Sequence, residues 1–445
     1  MKKIKVRFKK GITRLLAVVM IAGMSQSMTS ISQVMASGVA DSSSFVEKED
    51  LMNRKTGRII FGKNEKGSAQ EWYLVGKDDK ISGKNVVIVA ANPMKKGQVF
   101  KNEGKRNEKD SELWKDCIYA DESNITEVHP NHYGASDLRT TLKGMLDGNI
   151  YFSEAEKALL NATKVTTYDT RNRVDYTTTD KLYPLANVGG KLMAGSDDSV
   201  EVKVSETDFF WLRTPNGLMD SKGNILTANA KNTKTSVSVE FSRAIVPASN
   251  LDVSSVLFAS SASSEKSGQI DENAAMVLRM DGSNKSIGNV QYDKKTGNVA
   301  VKLDESAKNP VSVVVLGKGV INGKNCDWYY TKGIQESTTV TSEMIQDELK
   351  ITSDISLEDC KIWIESTDSA ENLTYAKMAT SGEVPDIIPP SGGEDDVKKP
   401  AEADGSTTGT GDHAPIIGLI CFAGLSMIVI VVVCYARNKK RKNGI

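Results

Sequence analysis

Short runs of alternating or continuous hydrophobic residues recur through most of the chain, which is the pattern of buried and half-buried β-strands. In the first half these runs are RIIFG (58–62), EWYLVG (71–76) and NVVIVAA (85–91). They return further on at TSVSVEFSRAIVP (235–247) and SSVLFAS (254–260). The pattern predicts a framework of strands and long loops.

Two segments of this half have helical spacing instead. SDLRTTLKGML offers Ser136 or Asp137 as the N-cap and repeats its apolar residues every three or four positions. SEAEKALL begins with a capping box, in which Ser153 is followed three positions later by Glu156. Residues 45–262 are therefore predicted to form an α+β domain, a loop-rich β framework with two short helices.

The region 268–380 has only strand patterns. Six runs recur about every ten residues with polar turns between them, which is typical of a β-sandwich. We therefore predict an all-β, immunoglobulin-like domain, separated from the first by the low-complexity linker ASSASSEKSGQ (259–269). Five residues are predicted to lie in its core: Val299, Val301, Leu303, Trp328 and Trp363.

The first residues predict export. MKKIKVRFKKGITR is basic and is followed by the apolar run LLAVVMIAGM (15–24). About ten apolar residues are too few to cross a bilayer, which needs roughly twenty. A basic start, a short apolar run and a small-residue exit predict a signal peptide over 1–36, cleaved between Ala36 and Ser37.

The other end predicts an anchor. Residues 414–436 carry no charge over 23 positions, and the basic tail 437–445 follows them. A span of this length predicts one transmembrane helix, and the basic residues beyond it favour the cytoplasmic side. The acidic, proline-rich and glycine-rich segment 381–413 is predicted to be a disordered stalk. Together these features predict a single-pass type I protein of the cell membrane with an extracellular ectodomain.

Charge narrows the set of partners. Without the seven basic residues of the leader and the five of the tail, 45 basic and 57 acidic residues remain, a net charge of −12. An acidic ectodomain argues against nucleic acid or anionic lipid as the main partner.

Catalytic motifs are absent from the sequence. It contains no glycine-rich phosphate loop after a strand and no G-x-S-x-G elbow. His129 and His132 lack further metal ligands at a zinc spacing, and Cys117 has acidic neighbours, which disfavour a reactive thiolate. We therefore predict a protein that is not an enzyme and that holds no cofactor or metal.

The cysteines leave two alternatives open. Outside the predicted span the chain has Cys117, Cys326 and Cys360, an odd number that excludes complete pairing within one chain. Cys326 and Cys360 can form a disulfide within the second domain, or both can remain buried free thiols.

The stretch FFWLRTP (209–215) places two phenylalanines, a tryptophan and an arginine before a proline turn. In one interpretation it is a core strand, with Trp211 packed inside and Arg213 paired to a carboxylate. In the other, Trp211 is a stacking platform for a sugar ring and Arg213 anchors polar groups of that sugar. Large aromatic residues in strands are usually buried, which favours the first.

A resemblance begins at the same residues. SDLRTTLKGML, YFSEAEKALLNATKVTT, TTDKLYPLA, FFWLRTP and SRAIVPASNLDVSSVLFAS resemble, in this order, an uncharacterised domain family of Firmicutes surface proteins with a W-L-R-S-P strand and a closing V-R-P-A or V-Q-P-A segment. Here Thr214 replaces the serine, and Arg243 lies before the closing segment rather than within it. The resemblance implies a cell-surface protein, and its layout is similar to C-type-lectin-like domains. It implies no catalytic residue.

The function predicted from these features is adhesin-like display of glycan-binding or protein-binding modules on a Gram-positive cell. Trp211, Arg213 and Arg243 are the candidate ligand-site residues. An exported glycan-processing or wall-processing enzyme and a passive structural spacer are the alternatives.

Overall fold

The computed structural model describes residues 44–101, 112–121, 125–194, 209–216, 224–228 and 234–382. These residues are mostly β-structure, with four short α-helices and two 3₁₀ turns. The predicted signal peptide, transmembrane helix and tail lie outside the described residues, as does the predicted stalk except for Ser381 and Gly382, which belong to the last described strand, Thr380–Gly382. None of the four described helices has the length and apolar character that a membrane crossing requires.

The elements up to the linker are mainly short strands. Their bounds are β1 Phe45–Glu47, α1 Lys48–Asn53, β2 Arg58–Lys63, β3 Ala69–Gly76, β4 Asn85–Ala90, β5 Lys95–Val99, β6 Ile118–Tyr119, α2 Asp137–Gly144, α3 Glu154–Ala158, β7 Leu160–Asn161, β8 Thr163–Asp169, β9 Val174–Asp180, β10 Leu182–Pro184, β11 Ala186–Val188, β12 Lys191–Met193, β13 Phe210–Pro215, β14 Asn224–Ala228, β15 Lys234–Ser238, β16 Ser242–Ile245, β17 Pro247–Asp252 and β18 Val256–Ser260.

The elements after the linker include the longest strands. Their bounds are β19 Gly268–Gln269, β20 Met276–Asp281, β21 Asn289–Asp293, β22 Asn298–Lys302, β23 Val311–Ile321, β24 Lys324–Ile334, β25 Thr338–Val340, α4 Ser342–Leu349, β26 Lys361–Asp368, β27 Leu373–Met378 and β28 Thr380–Gly382.

Both predicted helices are present with their predicted caps. Ser136 is the N-cap of α2, and its hydroxyl accepts a hydrogen bond from the backbone N–H of Arg139. The Ser153 hydroxyl accepts from the N–H of Glu156, and the Glu156 carboxylate accepts from the N–H of Ser153. The capping box at the start of α3 is therefore confirmed.

The segment after the linker is mostly β, as predicted, but it also contains one α-helix that the sequence analysis did not predict. Helix α4 begins after Thr341, whose hydroxyl caps the N–H of Met344, and ends at Lys350 in a left-handed conformation. Its Ile345 is buried in the hydrophobic core of the second half, which also contains Val299 and Trp328. Mostly polar residues surround that one buried position, so the helical spacing is weak in the sequence.

One strand joins the two halves of the chain. β20 pairs in parallel with β2, with Ile59 opposite Met276, and antiparallel with β18, with Ala259 opposite Leu278. It also pairs in parallel with β27 of the second half, with Arg279 opposite Thr374. The two predicted domains are therefore joined by main-chain hydrogen bonds as well as by the linker, within one compact unit.

A buried ion pair fixes the start of the linker against this strand. Arg279 of β20 donates to the Glu365 carboxylate at 3.0 Å and to the carbonyls of Ser260 and Ala262 at 2.6 Å each. Both charged side chains are almost fully buried, and the Trp363 indole also donates to Glu365. These bonds satisfy polar groups that burial would otherwise leave unpaired.

The second half packs two sheets face to face. The sheet β25-β22-β21-β28 contributes Val299 and Val301, which are buried, and the facing part of the large sheet contributes Trp328. Leu303 is partly buried against the same core. Trp363 is also fully buried but lies in a smaller cluster with Phe258 on the opposite side of the large sheet. The predicted core residues are thus confirmed, although Trp363 belongs to another layer.

Candidate functional site

Trp211 of β13 lies inside the protein. Its side chain is 1% exposed, its indole N–H donates to the Gln98 carbonyl at 2.7 Å, and its ring packs edge-on against Phe100. A ring with no open face cannot stack on a sugar from solvent. This burial favours the core interpretation of the aromatic stretch.

Arg213 is buried beside it, but its partners are not those predicted. Its guanidinium donates to the Pro184 carbonyl at 2.5 Å and more weakly to the Thr166 carbonyl at 3.5 Å. It also lies 5.9 Å from the Tyr183 ring centroid. Within the described residues no carboxylate lies within 4.0 Å of it, so the predicted ion pair was wrong. Burial lowers the pKa of Arg213.

Arg243 alone of the three candidates reaches the surface. Its guanidinium lies 5.9 Å from the Phe209 ring and 5.4 Å from the exposed Phe241 ring, and it donates to the Ser242 carbonyl at 3.0 Å. It is on β16, which pairs with the edge strand β5. The three candidates therefore do not share one surface.

His132 belongs to a buried chain of hydrogen bonds. Its Nδ1 accepts from the Ala135 N–H at 3.1 Å, so Nε2 carries the hydrogen and donates to the Tyr119 hydroxyl at 3.1 Å. Tyr119 in turn donates to Asp169 at 3.1 Å, and the Tyr176 ring stacks on the imidazole at 4.0 Å. Burial lowers the pKa of His132 to about 3 against the opposing pull of Asp169. The ring is neutral and fully bonded, which is a structural role.

Cys117 lies next to this chain without being activated by it. Its sulfur and the His132 ring both pack against Gly134. Burial raises the pKa of the Cys117 thiol to about 12, so the thiol stays protonated at neutral pH. Both nitrogens of His132 are already used, and the His129 ring bonds Thr170 instead. The arrangement does not make a nucleophile.

Cys326 and Cys360 are free thiols in the structure. Cys326 is opposite Gly319 of β23, while Lys361, next to Cys360, is opposite Leu316 on the other side of the same strand. Two strand spacings amount to roughly 9–10 Å, whereas bridged cysteines have Cα atoms within about 7 Å. The register of β23 therefore keeps the two apart.

The Glu156 carboxylate ties α3 to both halves of the chain. Its Oε1 accepts from the Gly62 N–H at 2.9 Å and from the Asn372 amide at 2.6 Å, and its Oε2 accepts from the Ser153 N–H at 2.8 Å. A cavity of about 200 Å³ lies beside it. Three donors satisfy this buried carboxylate, so it is not available as an acid or base to a ligand.

A second and larger cleft opens in the second half, with a volume of about 280 Å³. Three segments line it: residues 284–287 between β20 and β21, residues 306–309 between β22 and β23, and the side chains of Ser366, Asp368 and Tyr375 on β26 and β27. The β26–β27 pairing places Ser366 opposite Tyr375. The floor is therefore part of a rigid sheet, while the walls come from two turns.

A cation, a carboxylate and an aromatic ring are linked at one end of this cleft. Lys285 Nζ lies 3.1 Å from a Glu371 oxygen and 4.0 Å from the Tyr375 ring centroid. The Tyr375 hydroxyl donates to the same carboxylate. Burial, and then the hydrogen bond to Glu371, raise the pKa of Tyr375. The ring is thus neutral and held in place, yet half-exposed.

Other polar groups of the cleft remain open to a ligand. Asn284 and Lys308 are exposed and Asn309 is half-buried. No hydrogen bond from these three side chains to another described residue is formed. Asp368 uses one oxygen to accept from the N–H groups of Ala370 and Glu371, at 3.0 and 3.2 Å. Its other oxygen remains available.

Sequence reasoning did not find this cleft. It identified LTYAKMA as a strand, which is present. Asp281-Gly-Ser-Asn was interpreted as a hairpin turn; a turn forms there, but β20 and β21 on either side of it do not pair with each other. Nothing in either segment indicates that they meet a third segment at 306–309. Among the described residues, no group of three or more His, Cys, Asp or Glu is placed to hold a metal ion.

Comparison with models of known protein families, with curated proteins and with solved structures finds no match to this chain. The resemblance to Firmicutes surface proteins therefore remains a prediction from the sequence.

Proposed function

We propose that the protein is a single-span surface protein of a Gram-positive bacterium whose extracellular part binds a glycan or protein ligand without catalysis. The signal peptide over 1–36, the stalk over 381–413 and the span over 414–436 are part of this proposal and rest on the sequence. We also propose an immunoglobulin-like sandwich for 268–380, supported by its two facing sheets, and a C-type-lectin-like layout for 45–262, which rests on the resemblance.

The observation that carries the binding function is the 280 Å³ cleft. Binding sites for small molecules are concave and combine apolar or aromatic surface with a few oriented polar groups. Tyr375 supplies the aromatic surface, and Asn284, Asn309 and Asp368 supply the polar groups. A passive spacer would need no such concavity, so the cleft favours binding over that alternative.

The chemistry of the cleft also favours binding over hydrolysis. A glycosidase uses two carboxylates on either side of the scissile bond, separated by roughly 5–9.5 Å. Among the described residues that line the cleft, Asp368 is the single carboxylate. The nearby Glu371 is paired with Lys285 and accepts the Tyr375 hydroxyl.

The test is capture on a glycan and mucin array by the full-length protein purified in detergent, with released sugars measured in the same wells. We expect defined ligands to be retained and no product to be released. Release of reducing sugar would favour the exported enzyme. A protein that captures neither glycan nor mucin and releases nothing would favour the passive spacer.

A further inference from the structure

Resting on the proposed binding function, we infer that the cleft formed by 284–287, 306–309, Ser366, Asp368 and Tyr375 takes an uncharged saccharide, one or two rings at the end of a chain. Its volume of about 280 Å³ lies just below the roughly 300–1,000 Å³ typical of ligand pockets. Such a space holds a short ligand end better than an extended peptide.

The aromatic ring of the cleft is prepared for a sugar. Tyr375 is fixed at its hydroxyl by Glu371 and at its ring by the Lys285 ammonium, so little rotational freedom remains to be lost on binding. The Lys285 ammonium already covers one face of the ring, 4.0 Å from its centroid. A sugar would therefore contact the part of the ring that remains exposed, through its C–H groups.

The free polar groups match hydroxyl groups. A hydroxyl both donates and accepts, so its natural partners are groups that offer both possibilities or a mixture of the two. The amides of Asn284 and Asn309 each provide two donors and one acceptor oxygen, and Asp368 adds an acceptor. Phosphate or sulfate groups would require a set of donors without a facing carboxylate.

The charges of the cleft balance. Lys285 is neutralised by Glu371 at 3.1 Å, and the described residues that line the cleft then add one cation, Lys308, and one carboxylate, Asp368. A polyanionic glycan would meet no net positive charge here. An apolar peptide would leave the amides and the carboxylate desolvated without partners, which costs free energy. An uncharged, hydroxyl-rich ligand fits both conditions.

The test uses the full-length protein in detergent and immobilised neutral oligosaccharides of glucose, galactose, mannose and N-acetylglucosamine, with sialylated and sulfated oligosaccharides as comparators. The variants are Asn309→Ala and Tyr375→Leu, each checked for a native thermal melt. The matched controls are Asn325→Ala on β24 and Tyr168→Leu on β8, both at exposed positions outside the cleft.

We expect neutral saccharide binding that falls about fivefold to tenfold in Asn309→Ala and about tenfold or more in Tyr375→Leu. Saccharide binding by both controls should stay within about twofold of wild type, because these residues lie outside the cleft. Binding by Lys308→Ala should also stay within about twofold, because an uncharged ligand does not need that cation. Neutral binding that survives both cleft variants places the ligand elsewhere and overturns this inference, while the binding function stands. Preference for sialylated or sulfated ligands with loss in Lys308→Ala also overturns it. If the protein captures no saccharide, the inference about the cleft is also overturned. If it captures no saccharide, no mucin and no protein, the proposed binding function is overturned as well.

Discussion

The side-chain amide of Asn372 donates a hydrogen bond to Oε1 of Glu156 at 2.6 Å across 216 positions of sequence. Asn372 occupies the turn between β26 and β27 in a left-handed conformation, with φ of 55°. Glu156 belongs to the capping box of α3. The Glu156 carboxylate therefore caps the start of α3 in the first half of the chain and accepts a hydrogen bond from the β26–β27 turn in the second half.

Replacing Asn372 and Glu156 one at a time distinguishes the two roles of this carboxylate. Asn372→Gly keeps the left-handed backbone and removes one hydrogen bond, so we expect a loss of about 1–2 kcal/mol in the free energy of unfolding. Glu156→Ala leaves three donors without an acceptor, so we expect about 3–5 kcal/mol. Urea denaturation measures both.

The control for this pair is Glu154→Ala in the same helix. Glu154 is 78% exposed at its side chain and bonds Lys157 at the surface, so its loss should change stability by less than about 0.5–1 kcal/mol. Equal effects of Glu154→Ala and Glu156→Ala would contradict the role assigned to the buried carboxylate.

Trp211→Ala is expected to cost about 3–5 kcal/mol, because it removes a fully buried ring and leaves a cavity. Arg213→Ala should cost less, about 1–3 kcal/mol, since it leaves the Pro184 carbonyl without its donor. Thermal melts of the purified variants measure the effect, with the exposed Tyr168→Ala as the control. A native-like melt for Trp211→Ala together with lost ligand capture would restore its interpretation as a sugar platform.

Acid should destabilise the protein through His132. An unfolded histidine takes up a proton near pH 6.5, whereas burial lowers the pKa of folded His132 to about 3. Between these values the unfolded chain binds more protons, so the free energy of unfolding falls as pH falls from about 6.5 towards 3. At about 1.4 kcal/mol per pH unit, the loss between pH 6.5 and 5 approaches about 2 kcal/mol.

Denaturation of His132→Asn at the two pH values tests this expectation. The carboxamide oxygen of the introduced side chain can still accept from the Ala135 N–H, but the side chain no longer titrates. The pH dependence should become flatter in this variant and persist in the control His129→Asn. A wild-type stability that does not change between pH 6.5 and 5 is the contrary result.

The three described cysteines should all react as thiols. Alkylation under denaturing, non-reducing conditions followed by peptide mapping should label Cys117, Cys326 and Cys360 in full, because β23 lies between the last two. Alkylation of the native protein should be slow at Cys117 and Cys360, since burial raises the pKa of both thiols to about 12. A linked peptide containing Cys326 and Cys360 would show that the register of these strands is different.

Local patterns were sufficient for many of the longer strands and for helices α2 and α3. The serine caps of α2 and α3 and the alternation in β22 act over a few residues, so a short window of sequence contains the signal. Helix α4 was missed because only Ile345 of its residues is buried. The sequence also did not show that β13 is buried on both faces. An alternating pattern predicts that a strand has two faces, but it does not say whether both are covered.

The site was not predictable from local patterns for a related reason. The cleft depends on residues 284–287 and 306–309 meeting Tyr375, and the junction depends on Glu156 meeting Asn372. Such contacts are selected by the packing of distant strands, and a single sequence does not record which strands pair. Asparagines such as those that line the cleft are common in polar turns, so they do not mark a binding site in the sequence.

The shared strand β20 has a consequence for how the protein reaches its native state. Because its edges are bonded to β2, β18 and β27, a chain cut in the linker would present unpaired main-chain groups on both fragments, and such edges promote aggregation. Folding must wait for contacts between residues far apart in the chain, which slows it. Residues 44–382 should then melt in one calorimetric transition, so the two halves are present together or not at all. Two separate transitions would show that the halves fold alone.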